Sequence, residues 1–213
     1  MDDDETVTEG WLESHVVTAA QYSADATFGP VLPAYSSEVP YWIKKLDFFS
    51  RVNLTTGGPV RWPATNNVRM HSRFLDSVPT LRFSEEYSLT GGEDTDFFYR
   101  AREHGASLVW TSEGLVRGMV PANRANARWL WRRGLRLGNV SARMLRRRGW
   151  SSGRILVVAC ARVLASPLLA AAAAIRKRPV GPEIMHIPKG VGMVAALRGR
   201  LVQEYERGRA GAG

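Results

Sequence analysis

The chain has 213 residues, room for one domain and a tail, and its 45% hydrophobic and 23% charged residues are those of a folded protein rather than a disordered one. A single cysteine, Cys160, excludes an internal disulfide framework and makes a reducing compartment the default, and the acidic opening is not that of a signal peptide. The net charge of +9 divides unevenly: residues 1–113 hold 17 acids and nine Lys/Arg, a net of −8, and residues 114–213 hold 20 Lys/Arg and three acids, a net of +17, which points to an anionic partner for the second half.

In chain order, Asp2-Asp3-Asp4-Glu5 comes first. Dense carboxylates on a polar loop suit a hard divalent cation, and Asp2 and Asp4, one residue apart, can aim at one point. A solvated acidic terminus is the competing reading. Trp11, Leu12, Val16 and Val17 predict an amphipathic helix over 9–22. Residues 31–41 read as extended or looped, 41–49 as a short helix, 55–59 as a turn and 66–70 as a short strand. Phe74 to Val78 begins a helix that Pro79 ends.

The clearest local signal follows Thr90. Gly91-Gly92 forms a loop, Glu93 to His104 reads as a helix stopped by Gly105, and residues 106–111 read as a strand. Glu93, Asp94 and Asp96 crowd the first turn of that helix, where each favours its dipole by a few tenths to about 1 kcal/mol. From about Ala125 to Arg148 runs a helix rich in tryptophan and arginine. Arg132, Arg136, Arg143 and Arg147 share one face and Leu130, Leu137 and Met144 another, with Gly134 and Gly138 weakening it. Ile155 to Ile175 is an apolar stretch long enough to span a bilayer, interrupted by Arg162, Ser166 and Pro167. The central Arg162, the many alanines and basic clusters at both ends favour a helix or hairpin lying in the interface. Residues 190–205 predict a last, short amphipathic helix.

Two constellations carry chemistry. A carboxylate at Glu93-Asp94, brought close to the backbone by Gly91 and Gly92, is placed to accept a proton from an attacking hydroxyl, although helix capping explains the acids as well. Arg124, Arg128, Arg132 and Arg133 offer guanidinium forks to diphosphate oxygens and Trp129 offers a stacking face to a sugar; a basic surface facing lipid headgroups is the alternative. The four histidines show no zinc spacing, and no serine elbow or phosphate-binding loop is present, so hydrolase and nucleoside-triphosphatase readings lose support.

The order of these motifs resembles the family 2 glycosyltransferases of bacterial polysaccharide assembly. The resemblance runs over roughly residues 1–145: the acidic loop, the Trp11-Leu12 helix, Gly29-Pro30-Val31, Asn66-Asn67-Val68, Gly91 to Phe98, Val120-Pro121, and Arg128-Trp129. It implies an α/β fold of the Rossmann-like GT-A type, here partial, over 1–150, followed by a membrane-associated helical region over 151–213. It implies inverting sugar transfer from a nucleotide-sugar donor to a glycan or lipid-linked acceptor at the cytoplasmic face of a membrane. Asp94 becomes the general base with Glu93 beside it, Gly91 and Gly92 the loop that shapes the substrate site, and Asp2 and Asp4 the ligands of Mn²⁺ or Mg²⁺. Ala125 stands where processive members carry Gln, and Arg117-Gly118 where many members carry His or Glu. The family's nucleotide-binding strands precede the acidic loop by roughly ninety residues, so this chain reads as the later part of such an enzyme. A non-catalytic protein that binds membrane or nucleic acid through the basic half is the rival; the apolar stretch beside the arginines favours anionic lipid over nucleic acid.

Overall fold

The computed structural model describes residues 5–50, 54–60, 62–87 and 90–202. The chain forms two compact units that interleave in sequence, one of residues 1–39, 49–84 and 93–121 and the other of residues 40–48, 85–92 and 122–213. Residue 150 falls inside the second.

The first unit is mixed α/β. Its strands are β1 (Glu5–Val7), β2 (Ala26–Phe28), β3 (Val31–Tyr35), β4 (Val68–Met70), β5 (Leu108–Trp110) and β6 (Val116–Val120); its helices are α1 (Trp11–Gln21), α3 (Ser72–Ser77) and α4 (Glu93–Glu103). They make two three-stranded sheets, ordered β1-β6-β3 and β4-β2-β5. In each the central strand has one antiparallel and one parallel neighbour: β6 runs against β1 and with β3, and β2 runs against β4 and with β5. The period of two sorts β2 cleanly. Ala26 and Phe28 enter an apolar core with Phe74, Phe97, Phe98 and Leu108, whereas Thr27 turns toward α1. Phe98 meets Phe28 edge-on at 4.8 Å and Phe97 stacks on Phe83 at 4.6 Å. Each buried phenylalanine contributes about 1.5–3 kcal/mol.

Helix α1 forms where the periodicity expects it, but its apolar residues do not make the buried face. His15, Thr18 and Ala19 are buried, while Leu12, Val16 and Val17 are exposed. The reason is polar. His15 Nδ1 lies 2.8 Å from Thr27 Oγ1 and His15 Nε2 lies 3.1 Å from Asn67 Oδ1. Trp11 Nε1 donates to the same Asn67 oxygen at 2.9 Å, and Asn67 Nδ2 donates to the carbonyls of Pro30 (2.8 Å) and Gly114 (2.7 Å). Asn67 Oδ1 must accept from both neighbours, so His15 carries its proton on Nε2 and receives the Thr27 hydroxyl at Nδ1. A Cβ on Gly29 or Gly114 would run into this hub, so the close approach demands glycine at both.

The second unit is helical, with α2 (Tyr41–Leu46), α5 (Ala127–Arg147), α6 (Ser152–Ile175), α7 (Gly181–Ile184) and α8 (His186–Leu197). Asn126 caps α5 by accepting from the Trp129 amide, and Ser151 caps α6 by accepting from the Arg154 amide. Ala142, Ile155, Ala159 and Met193 join α5, α6 and α8 into one core. The two glycines that weaken α5 as an isolated helix are its packing surface: Gly134 faces Pro188, Gly138 faces the Lys189 carbonyl, and Gly192 of α8 faces the Leu135 carbonyl. Close backbone approach here offsets the propensity cost of about 1 kcal/mol per glycine. The apolar stretch is one continuous helix with Pro167 inside it, not a hairpin, and the last helix starts at His186 rather than Gly190. Only α6, among the described residues, is long and apolar enough to cross a membrane. Its outer face is unpartnered: Val157, Leu164, Leu168 and Ile175 are 69%, 74%, 76% and 84% exposed. Spacings of 7, 11 and 18 residues put these four in one stripe, opposite the buried Ile155, Ala159, Ser166 and Ala173.

Candidate active site

The Gly-Gly-Glu-Asp motif is where the chain passes from the second unit into the first. On the second-unit side, Gly91 and Gly92 take φ of 69° and 98°, the left-handed region that favours glycine. A Cβ at Gly92 would also strike Val140 of α5. The turn before them is pinned by its own backbone, with the amides of Thr90 and Gly91 donating to the Tyr87 carbonyl at 3.1 and 2.9 Å. Arg143 then clasps it. Its Nη1 donates to Thr90 Oγ1 at 2.7 Å, its Nη2 to Glu86 Oε1 at 2.8 Å, and its guanidinium lies 4.3 Å above the Tyr87 ring. The helical spacing of the arginines did not single out Arg143. Its partners lie some fifty residues away in sequence, and no local pattern announces them.

On the first-unit side, the three carboxylates that open α4 have three different surroundings. Asp96 is buried, 1% exposed, and ion-paired to Arg100 at 2.8 Å, so its role is structural. Glu93 is half-buried, with a buried Oε2 that has no hydrogen-bond partner. Asp94 is half-buried, and its Oδ1 accepts from the Thr95 amide at 2.6 Å. The Thr95 hydroxyl lies 3.2 Å from the Pro63 carbonyl and 3.3 Å from Asp94 Oδ1, with one proton to give. This fixes the direction of the Asp94 carboxylate through Oδ1 alone. It also ties the 62–63 loop to the same turn. Trp62 in that loop is half exposed and meets Tyr99 of α4 edge-on, ring centres 6.3 Å apart. The indole is an exposed aromatic face that sequence reading had passed over.

The arginine run lies on the second unit and divides. Arg124, in a single 3₁₀ turn at Ala122–Arg124, and Arg128 and Arg132, on the first turns of α5, project to solvent. Trp129 and Arg133 are half-buried, and Arg133 lies over the Trp129 ring at 5.3 Å. The indole therefore serves its own helix neighbour on one face. Asp2 and Asp4 lie outside the described residues. Among the described residues, no group of three or more His, Cys, Asp or Glu side chains has the arrangement to hold a metal ion.

A comparison with curated proteins finds a similarity to the succinoglycan biosynthesis protein ExoM of Rhizobium meliloti (strain 1021), 36% identical over 145 residues, which is 68% of this chain and 47% of that protein. The chain spans about half the length of the curated relative it matches. No family model matches, and no solved structure matches.

Proposed function

We propose that this chain is part of an inverting glycosyltransferase of family 2, GT-A type, which builds a bacterial polysaccharide at the cytoplasmic face of a membrane. The observation that carries the reading is Asp94, held by Thr95 through one carboxylate oxygen and separated by Glu93 alone from two glycines of positive φ. The similarity to a polysaccharide-biosynthesis protein supports it. In the reaction, the acceptor hydroxyl gives its proton to Asp94 as its oxygen bonds to the anomeric carbon. The bond from that carbon to the donor's phosphate oxygen breaks, and the nucleoside diphosphate leaves with the electron pair. Glu93 supports the base, Trp62 stacks on the acceptor sugar, and Arg124, Arg128 and Arg132 attract the diphosphate. The oxygen-only pair Asp2 and Asp4 suits Mg²⁺ or Mn²⁺, which would supply charge neutralisation on the leaving group.

Membrane association follows from the exposed stripe of α6 together with the basic clusters Arg146–Arg148 and Arg176–Arg178 at its ends. A stripe on one face, with the opposite face packed in the unit, fits a helix lying in the interface better than one surrounded by lipid. The test is sugar transfer from a panel of nucleotide-sugars to a membrane lipid extract, by the intact natural protein. Asp94→Asn is expected to lower the rate by about 10²–10⁴-fold with folding intact. Near-wild-type turnover by that variant would remove Asp94 as the base, and no transfer by the unaltered protein would favour a non-catalytic membrane-binding protein.

A further inference from the structure

We propose that Arg162, His186 and Lys189 form a binding site for a phosphate-type dianion inside the helical unit. The site does not depend on the transferase reading, because Arg162, His186 and Lys189 are none of the residues assigned to the reaction. Arg162 lies on the side of α6 that faces α8, away from the exposed stripe, and its Nη1 donates to His186 Nδ1 at 3.1 Å. A guanidinium cannot accept, so that ring nitrogen is a bare lone pair and the histidine is uncharged. Its remaining N–H, on Nε2, faces Glu183 Oε2 at 3.4 Å. Ser166 Oγ donates to the Glu183 carbonyl at 2.7 Å and ties α7 down onto α6. Lys189 follows one turn along α8, its backbone held against Gly138 of α5.

The charge does not balance. Arg162, Lys189 and Arg133 of α5 are three cations against one carboxylate, Glu183, which His186 already engages. Arg162 Nε is buried with no hydrogen-bond partner. Burial first, and then the charges of Arg162 and Arg133, push the Lys189 ammonium down to about 8, with Glu183 opposing. The same burial, with Arg162 and Lys189, pushes His186 below the usual histidine range. A solvated basic face shows none of this, since its ammonium groups are hydrated and far enough apart to be screened. Desolvated like charges with an idle planar donor are the complement of a phosphate: an Nε–H for one oxygen and an ammonium for another.

The experiment uses the full chain in zwitterionic detergent, titrated with inorganic pyrophosphate and followed by calorimetry and thermal melting, with nitrate at matched ionic strength as control. Saturable pyrophosphate binding that raises the melting temperature is expected, weakened about tenfold or more by Lys189→Gln and by Arg162→Gln. Vesicles of phosphatidylcholine with phosphatidic acid, against phosphatidylserine at equal surface charge, distinguish the source. A phosphatidic acid preference lost in Lys189→Gln assigns the dianion to a lipid headgroup; pyrophosphate binding without that preference assigns it to a soluble phosphate. Absence of both in the wild-type chain, or equal binding by the variants, overturns the proposal. Should Lys189→Gln fail to fold by circular dichroism, Arg162→Gln and the charge-keeping Lys189→Arg take its place, the latter expected to bind.

Discussion

Asn67→Ala tests whether the first unit is organised by its polar hub. The side chain is 2% exposed and makes four hydrogen bonds, to Trp11, His15, Pro30 and Gly114. The four losses are unequal. The Pro30 carbonyl keeps the Val116 amide as a donor at 3.1 Å, and Trp11 is half-buried, so water can replace its partner. The Gly114 carbonyl and His15 Nε2–H are buried and left without a partner, at about 1–3 kcal/mol each. With smaller terms for the other two, the expected cost is about 3–5 kcal/mol, a large share of the 5–15 kcal/mol typical of a domain. Urea unfolding followed by tryptophan fluorescence measures it. Asn67→Asp, which keeps the volume but removes both N–H donors, separates hydrogen bonding from cavity formation and is expected to cost at least as much at neutral pH. A loss below about 1 kcal/mol for Asn67→Ala would refute the hub as an organising element.

The remaining expectations use the same structure. Burial holds the His15 pKa below its ordinary value of 6.5, so the unfolded chain binds the extra proton first. Stability is therefore fully present above pH 6.5 and falls as pH drops through the folded-state value, by up to about 1.4 kcal/mol per pH unit. His15→Gln should flatten the part of the slope that His15 supplies, His186 adding a term of the same sign. Leu164→Asp with Leu168→Asp should move the chain from the carbonate-washed membrane pellet to the soluble fraction, and retention of the double variant would count against the α6 stripe. Arg143→Met should cost about 1–2 kcal/mol, chiefly from the buried Thr90 hydroxyl, and lower transfer by the intact natural protein. The exposed Glu86 contributes little to that figure.

What was legible in the sequence followed from local rules. Helix α4 carried its own start and stop, with acids in the first turn and Gly105 at φ 88° past the end. The Pro79 boundary of α3 and the short helix α2 were readable for the same reason. Strands β1, β2 and β6 were not, because three to five residues of mixed polarity, such as Ala26-Thr27-Phe28, give no period to detect. The hub joins His15 and Asn67 across 52 residues, and only the tertiary fold can show that a histidine on a helix with an apolar stripe is its inward face. Gly134 and Gly138 misled in the opposite sense, as local propensity counts the cost of a glycine but not the helix brought against it. Within the candidate site, the Gly91-to-Asp94 motif was visible, whereas Arg143 and Trp62 were not, since each acts through partners far away in sequence.

The motif's position at the passage between units gives its parts different physical duties. Thr90, Gly91 and Gly92 answer to α5, through the Arg143 clasp and the approach to Val140. Glu93 and Asp94 answer to α4, whose first turn fixes the carboxylate through Thr95 and reaches the Trp62 loop through Pro63. A single acid at a helix start is adequately explained by capping and the helix dipole, worth up to about 1 kcal/mol. Capping does not explain two consecutive glycines of positive φ before it, since either costs conformational entropy on folding. Nor does it explain why Asp96, Glu93 and Asp94, alike in charge and within four positions, are respectively ion-paired, left with an idle buried oxygen, and held by one oxygen only. A turn built for stability alone would pair all three. Asp94 alone is oriented by a neighbour through one oxygen, and that combination suits the base role proposed for it.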